Sequence, residues 1–275
     1  LFLARGERGR LAVLSNEGGV VVPWRREGGA WEKLALPAEH ACRVGQSALG
    51  LYFGRDDRPR LMGYRYDGPT SQMVYLRFRD GRWSDQSREV GSLAGKASEL
   101  FGELGEADPE VVCRSGHLCI LKRRTGWTVL KAEPPKDALV RAFSGEGYAV
   151  YGGALHKGDA KAFRRVGQPG SWREAPVGFW VGADGAAVVA DPTSLHSLDP
   201  ATGEWSRQPG PVAGLADVVG PPTDRFVAAA DGLYHLGAEG VRRVAGVTGP
   251  LVRVLVVDGV AYAAGAAGVF EVSAK

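Results

Sequence analysis

Three features of this 275-residue sequence predict an all-β fold made of repeated antiparallel units. A Trp just after a Gly-containing turn recurs at Trp31, Trp83, Trp127, Trp172 and Trp205, with Val241 in the same setting, about every 42 residues. Asp-Gly occurs at Asp67, Asp80, Asp184, Asp231 and Asp258, a pair that suits the positive φ angles of two-residue hairpin turns. Short apolar runs lie between such turns, and the 40 Gly and 16 Pro fit many tight turns better than low complexity. A repeat of this length, made of four short strands, is the signature of a β-propeller. The chain has room for about seven blades, six being the other count.

In chain order, residues 2–7, 10–15, 20–25 and 31–36 read as a complete four-strand unit. The clearest units come last: strands at 215–219, 225–230, 233–236 and 241–244, then at 252–257, 260–264 and 269–273, where the chain stops one strand short. The last blade is therefore expected to have three strands. One segment differs. In 92–104, Leu93, Ala97, Leu100, Phe101 and Leu104 share a helical face, with Ser92 suited to the N-cap and Gly105 to the stop. A short helix is expected there, inserted between the second and third blades as a plug rather than as a binding element. The whole chain, 1–275, is expected to be one domain, because all-β chains of this length are commonly undivided.

Composition bounds the function. Apolar residues at 44% and charged residues at 24% sit near globular averages and allow a sizeable core. A net charge of +3 is too small to imply a nucleic-acid partner. The longest apolar runs, 254–257 and 260–264, fall far short of a membrane span. The first residues carry no basic segment leading into an apolar run, so they do not read as a signal or an anchor.

Two stretches resemble Kelch repeats, in which a Gly-Gly pair ends one strand and a Trp opens another further on. Tyr148-Ala149-Val150-Tyr151-Gly152-Gly153 followed by Trp172 is the fuller match, and Leu198-Asp199-Pro200-Ala201-Thr202-Gly203-Glu204-Trp205 is similar to the second half of such a repeat. The resemblance implies a propeller. It transfers no functional residue, because Kelch-like propellers serve as interaction modules and, in a few cases, as enzymes. The sequence has no Trp-Asp dipeptide, no Ser-x-Asp-x-Gly-x-x-Trp box and no acidic loop of EF-hand spacing.

Catalytic constellations are absent from the sequence. It holds no Gly-x-Ser-x-Gly elbow, no His-Glu-x-x-His and no Cys-x-x-Cys, so no catalytic, metal-binding or cofactor-binding residue is assigned and no cofactor is expected. His40, His117, His156, His196 and His235 fall in separate units. The last three are spaced close to the repeat, but their distances to the next Trp or Val differ. They read as surface or strand-pairing histidines rather than a shared axial site. Trp24, Tyr64, Tyr66, Tyr75, Phe179 and Trp180 read as packing between blades, with sugar stacking the lesser alternative.

The most repeated polar feature is a set of arginine doublets, Arg25-Arg26, Arg123-Arg124, Arg164-Arg165 and Arg242-Arg243. Arg takes phosphate or carboxylate bidentately, so these eight are the candidate partner-binding residues of one rim. The stronger competing reading is that charged side chains keep outer strands soluble and block edge pairing. On balance the leading function is a non-catalytic binding or scaffolding propeller that holds another protein. A carbohydrate-binding propeller of an exported protein is the alternative, and an enzyme with its site at the propeller axis is the third reading.

Cys113 and Cys119 flank a segment that reads as a hairpin. If Arg114 pairs with Leu118 across a Ser-Gly-His loop, the two cysteines are directly opposed and within reach of a disulfide after a small adjustment. Oxidising surroundings would bond them, which would indicate an exported or periplasmic protein; a cytoplasmic protein would keep two thiols. Cys42 has no local partner and is expected to stay free.

Overall fold

A computed structural model describes residues 2–5, 10–41, 47–53, 58–67, 70–90, 97–100, 110–114, 117–122, 126–129, 138–143, 146–158, 163–170, 172 and 174–273. By internal contacts the chain divides into two compact units, Leu1–Lys136 with Ala160–Ala162, and Asp137–Asp159 with Phe163–Lys275. The described residues form seven antiparallel sheets, and in each the strands pair in chain order.

The first unit holds three sheets. Sheet 1 pairs Phe2–Arg5, Leu11–Glu17, Val20–Glu27 and Ala30–Lys33; sheet 2 pairs Ser47–Phe53, Pro59–Asp67, Thr70–Arg79 and Arg82–Asp85; sheet 3 pairs Ala97–Leu100, Glu110–Arg114, His117–Lys122 and Gly126–Val129. The second unit holds four. Sheet 4 pairs Leu139–Phe143, Glu146–Tyr151, Ala154–Gly158 and Phe163–Val166, and sheet 5 pairs Gly178–Val181, Ala187–Ala190, Ser194–Leu198 and Trp205–Pro209. Sheet 6 pairs Leu215–Val219, Arg225–Ala229, Gly232–Gly237 and Gly240–Thr248, and sheet 7 has the three strands Leu251–Val257, Val260–Gly265 and Gly268–Ser273. The expected four-strand first unit and three-strand last unit are both present.

Turn chemistry sets these hairpins. Asp80-Gly81 has φ of 52° and 80°, and Asp258-Gly259 has 51° and 75°. Two successive positive φ values give a turn whose twist matches that of the strands it joins. Packing then comes from the middle strands. In Ala187–Ala190 every residue is buried: Ala187 and Val189 pack toward sheet 4, Val188 and Ala190 toward sheet 6. In Arg225–Ala229, Val227 and Ala229 join the core shared with sheet 5, while Phe226 and Ala228 join the core shared with sheet 7. A strand covered on both faces reads as a continuous apolar run, not as an alternation. Fourth strands are the wet ones, Ala30–Lys33 being exposed throughout.

The Trp landmark marks fourth strands in four of five cases. Trp31, Trp83 and Trp127 are each the second residue of the fourth strand, as is Val241, and Trp205 is the first. Trp172 is the exception. It follows the fourth strand Phe163–Val166 and packs edge-on against Trp205, with ring centroids 5.1 Å apart. Depth is not shared either, since Trp31 is 38% exposed and Trp83 8%.

Two expectations need correction. Ala97–Leu100, inside the segment read as helical, is a strand that pairs Val112 with Leu100 and Cys113 with Glu99. The rest of 92–104 lies outside the described residues. A weak helical periodicity gives way here because Glu110–Arg114 gains a ladder partner. The helical turn that does form is Ser87–Val90, where the Asp85 carboxylate accepts from the Ser87 N–H at 2.7 Å. The second correction is one of register. Arg114 pairs with His117, so Cys113 is opposite Leu118 and Cys119 opposite Val112. Two residues, not three, separate the paired positions, which is the commoner hairpin spacing. The cysteines are offset by one pair rather than directly opposed.

Candidate functional site

Sheet 2 carries the site. Its second strand begins Pro59-Arg60, its third ends Arg77-Phe78-Arg79, and its fourth contains Ser84. Arg60 pairs across the ladder with Arg77, and Arg77 with Ser84. Directly paired residues share a face, and so do residues two apart on one strand. Arg58, Arg60, Arg77, Arg79, Ser84 and Gln86 therefore fall on one face. Leu61, Leu76, Phe78 and Trp83 lie in the core shared with sheet 1.

That polar face borders a cavity of about 220 Å³ lined by Arg58, Pro59, Arg60, Arg77, Phe78, Arg79, Ser84 and Gln86. Arg60 is 1% exposed, and its Nη1 donates to the buried Tyr75 hydroxyl at 3.3 Å. Asp80, exposed at the tip of the turn, lies 3.2 Å from Arg79 and 3.6 Å from Arg58. No carboxylate among the described residues pairs with Arg77, whose carbonyl accepts from the Ser84 hydroxyl.

A second polar cluster stitches the other unit together. Asp217, with no exposed surface, accepts from Arg141 Nη1 at 2.5 Å, from its neighbour Val218 N at 2.9 Å and from Val254 N at 3.1 Å, and Arg253 lies 3.5 Å away. Arg141 also donates to the Phe179 carbonyl at 2.9 Å. These residues sit on the first strands of sheets 4, 5, 6 and 7. Gly178 makes the approach possible, because a Cβ there would come within 2.6 Å of the Asp217 carboxylate. A register shift between Leu215 and Asp217, repeated between Leu251 and Arg253, is a β-bulge of the kind that re-aims side chains. Both oxygens of Asp217 are taken by donors from three sheets, while the buried Nε of Arg141 has no hydrogen-bond partner.

The three repeat-spaced histidines follow a common rule. His156, His196 and His235 occupy third strands of sheets 4, 5 and 6, each opposite an arginine on the fourth strand: Arg165, Arg207 and Arg242. Spacing to the Trp landmark had hidden this shared register. They belong to three separate sheets, as strand-pairing histidines do. His156 stacks on Tyr151 at 3.9 Å, and burial pushes its imidazole below the ordinary value. His196 Nε2 lies 2.9 Å from Asp191, whose other oxygen accepts from Thr193 N at 2.9 Å, Thr193 Oγ1 at 3.1 Å and Ser194 N at 2.7 Å.

Asp191 gives a pH-dependent prediction. Burial works against its ionisation, but the bonds from His196, Thr193 and Ser194 outweigh that and hold the carboxyl below the usual range. A depressed folded value means the unfolded chain takes up the proton first as pH falls. The stabilisation is then complete above about pH 4, the ordinary Asp value, and is lost as pH drops through the folded one. Asp191→Ala should cost about 1.5–3 kcal/mol at pH 7, the range for hydrogen bonds to a charged group. Urea midpoints of parent and variant should converge in strong acid. A gap that stays constant down to pH 2 would show the loss to be steric.

The described arginine doublets lie on three different sheets. Arg25 pairs with Glu32 at 2.6 Å and Glu27 at 3.3 Å on sheet 1, and Arg26 donates to the Gly29 carbonyl. Arg164 and Arg165 are on the exposed fourth strand of sheet 4; Arg242 bonds His235 and Arg243 the Asp231 carbonyl on sheet 6. Arg123 and Arg124 lie outside the described residues. Neighbours on a strand point to opposite faces, so a doublet divides its charge, whereas Arg-x-Arg concentrates it. Arg58-x-Arg60 and Arg77-x-Arg79 have that second spacing. Among the aromatic candidates, Tyr75 and Phe179 are fully buried, as packing residues are.

The chain matches no protein-family model and no curated protein. Its sheets match solved β-propellers. YCF48 bound to D1 peptide is similar over 96% of this chain and 87% of that one, at 16% identity and a TM-score of 0.65. A chain of the mitotic checkpoint complex matches over 98% and 84%, at 10% identity and 0.67. The WD40 β-propeller domain of Doa1 matches over 98% and 90%, at 12% identity and 0.60. The fold is that of a β-propeller.

Proposed function

We propose that the chain is a non-catalytic propeller that holds another protein, acting as one domain over 1–275 with its seven sheets as seven blades. The observation that carries this reading is the arginine-lined cavity of sheet 2, whose guanidinium groups suit holding an acidic group. Two similar structures support an interaction role: one is YCF48 bound to a D1 peptide, the other part of a mitotic checkpoint complex. The Kelch-like repeat type belongs to the same proposal and rests on Gly152-Gly153 and Trp172. Arg164, Arg165, Arg242 and Arg243, on exposed outer strands, would add weaker contacts. The test is calorimetry of the full chain against synthetic 12-residue peptides of acidic, neutral and basic composition. Acidic peptides should bind selectively, and Arg77→Ala should weaken them roughly tenfold, the loss expected for one charge-assisted hydrogen bond. Equal binding of all three classes, or an unaffected Arg77→Ala variant, would remove the cavity from the argument.

A further inference from the structure

We infer that sheet 7 takes a fourth strand from another polypeptide, an extended segment of the pattern apolar-Arg-Arg-Val. This goes beyond the acidic-group reading and stands apart from the sheet 2 cavity. Among the described residues the other six sheets have four strands, and no strand pairs with the outer edge of Gly268–Ser273. Such an edge is a row of backbone donors and acceptors that can template a further strand. Gly265 and Gly268 close a two-residue hairpin, so theirs is a hydrogen-bonded pair and the bonding alternates from there. The N–H and C=O of Val269 and Ser273 therefore point to the outer edge. All six residues pair with Val260–Gly265 without a bulge, and the strand holds no Lys, Arg or Pro. It thus lacks the devices that blunt an edge against pairing, which the outer strands of sheets 4 and 6 carry as arginines.

The molecule supplies the template for the added strand. The fourth strands of sheets 4 and 6 contain Phe163-Arg164-Arg165-Val166 and Val241-Arg242-Arg243-Val244. Both sit in one register. Ala154, Gly232 and Gly268 close the preceding hairpin in sheets 4, 6 and 7, and positions on the third strand are counted from them. The first Arg of each motif is opposite Lys157 or His235, the second opposite His156 or Tyr234, and the apolar residue opposite Gly158 or Leu236. The equivalent positions of sheet 7 are Glu271, Phe270 and Val272. An added first Arg would therefore face a carboxylate across the ladder, where Arg164 faces Lys157; opposite charges support a cross-strand pair and like charges weaken it. The second Arg would lie against the Phe270 ring, a cation-π arrangement. The closing Val would meet Val269 as Val166 meets Leu155. Phe270 and Val272 are partly buried against the core shared with sheet 6, so an apolar residue opposite Val272 would extend that core. A second copy pairing edge to edge would bring Glu271 and no cation, so the fit favours a basic partner.

Fluorescence polarisation on the full chain tests this with labelled peptides centred on Val-Arg-Arg-Val, Val-Gln-Gln-Val and Gly-Arg-Arg-Gly. The first should bind roughly tenfold more tightly than either of the others, which lose the charge match and the strand-forming valines in turn. Basic charge by itself is not enough. Glu271→Arg, at an exposed position, should erase the preference for Arg-Arg over Gln-Gln. Val269→Pro removes an outward N–H and none of the bonds to Val260–Gly265, so it should weaken Val-Arg-Arg-Val roughly tenfold. Arg77→Ala, in the sheet 2 cavity, should bind that peptide as the parent does. Hydrogen exchange of the parent reads the location without any variant, so the test stays open even if Val269→Pro does not fold: amides of 268–273 should slow when Val-Arg-Arg-Val is added. Slowing elsewhere but not there, no binding of Val-Arg-Arg-Val, or equal binding of Gly-Arg-Arg-Gly would overturn strand addition and leave the cavity reading standing. A dimer of the chain alone that Val269→Pro dissociates would assign the edge to a second copy instead.

Discussion

Asp217→Ala is expected to lose about 3–5 kcal/mol of folding stability, the range seen when one member of a buried ion pair is removed. The reason is what stays behind. Arg141, its side chain 10% exposed, would keep its charge between first strands with only the Phe179 carbonyl to accept from it, and the Val254 N–H would lose its acceptor. Asp217→Asn should recover little. An amide keeps one acceptor oxygen, but its NH₂ would face either the Arg141 and Val218 donors aimed at one carboxylate oxygen or the Val254 donor aimed at the other. For a chain of this size the loss corresponds to a melting shift on the order of 10 °C. The double variant Arg141→Met with Asp217→Ala should be more stable than Asp217→Ala alone, since the stranded charge is gone. A double variant that is less stable would mean that packing of the Arg141 stem, and not the pair, holds these strands.

Asp217 also shows what a sequence read by local pattern leaves out. Its side-chain partners are far along the chain, with Arg141 76 residues before it and Val254 37 residues after. Nothing in the neighbourhood of Leu215–Val219 marks it as more than a polar residue in an apolar strand. Hairpins were legible for the opposite reason: Asp80-Gly81 and Asp258-Gly259 carry their backbone requirement in two adjacent residues. The Trp landmark located fourth strands at Trp31, Trp83, Trp127 and Trp205, and failed at Trp172, where packing against Trp205 and not strand pairing fixes the ring. Ala97–Leu100 failed because a helical face and a strand face can be drawn through the same few apolar residues, and only the ladder decides. The sheet 2 cavity was missed through a choice of period. Doublets such as Arg164-Arg165 catch the eye in a sequence, but a strand gathers charge at every second residue, and Arg58-x-Arg60 with Arg77-x-Arg79 carried that signal.

Arg225→Met is expected to stabilise the protein by about 1–4 kcal/mol, opposite in sign to the Asp217 variants. Arg225 opens the second strand of sheet 6, is 2% exposed and donates from Nη1 to the Ser197 hydroxyl of sheet 5 at 2.9 Å. Its Nε finds no hydrogen-bond acceptor, and no carboxylate among the described residues pairs with it. Burial alone pushes this guanidinium below its ordinary value, whereas the comparably buried Arg141 has Asp217 against it. A cation taken out of water and answered by one neutral hydroxyl recovers little of its desolvation cost. Met has a similar reach and no charge, so it should fill the same space between sheets 5 and 6 without that cost. Ser197 is only partly buried and can turn its hydroxyl to water when its donor is removed. Arg225→Ala separates the charge effect from the volume effect. It removes the same charge but leaves a hole, and should fall about 2–5 kcal/mol below the Met variant. Chemical denaturation of the three proteins at neutral pH reads both differences. If Arg225→Met were no more stable than the parent, the guanidinium would have to be held by something stronger than Ser197. If Met and Ala were equal, the site would be loose enough to collapse, and burial would not be what sets the energy of Arg225.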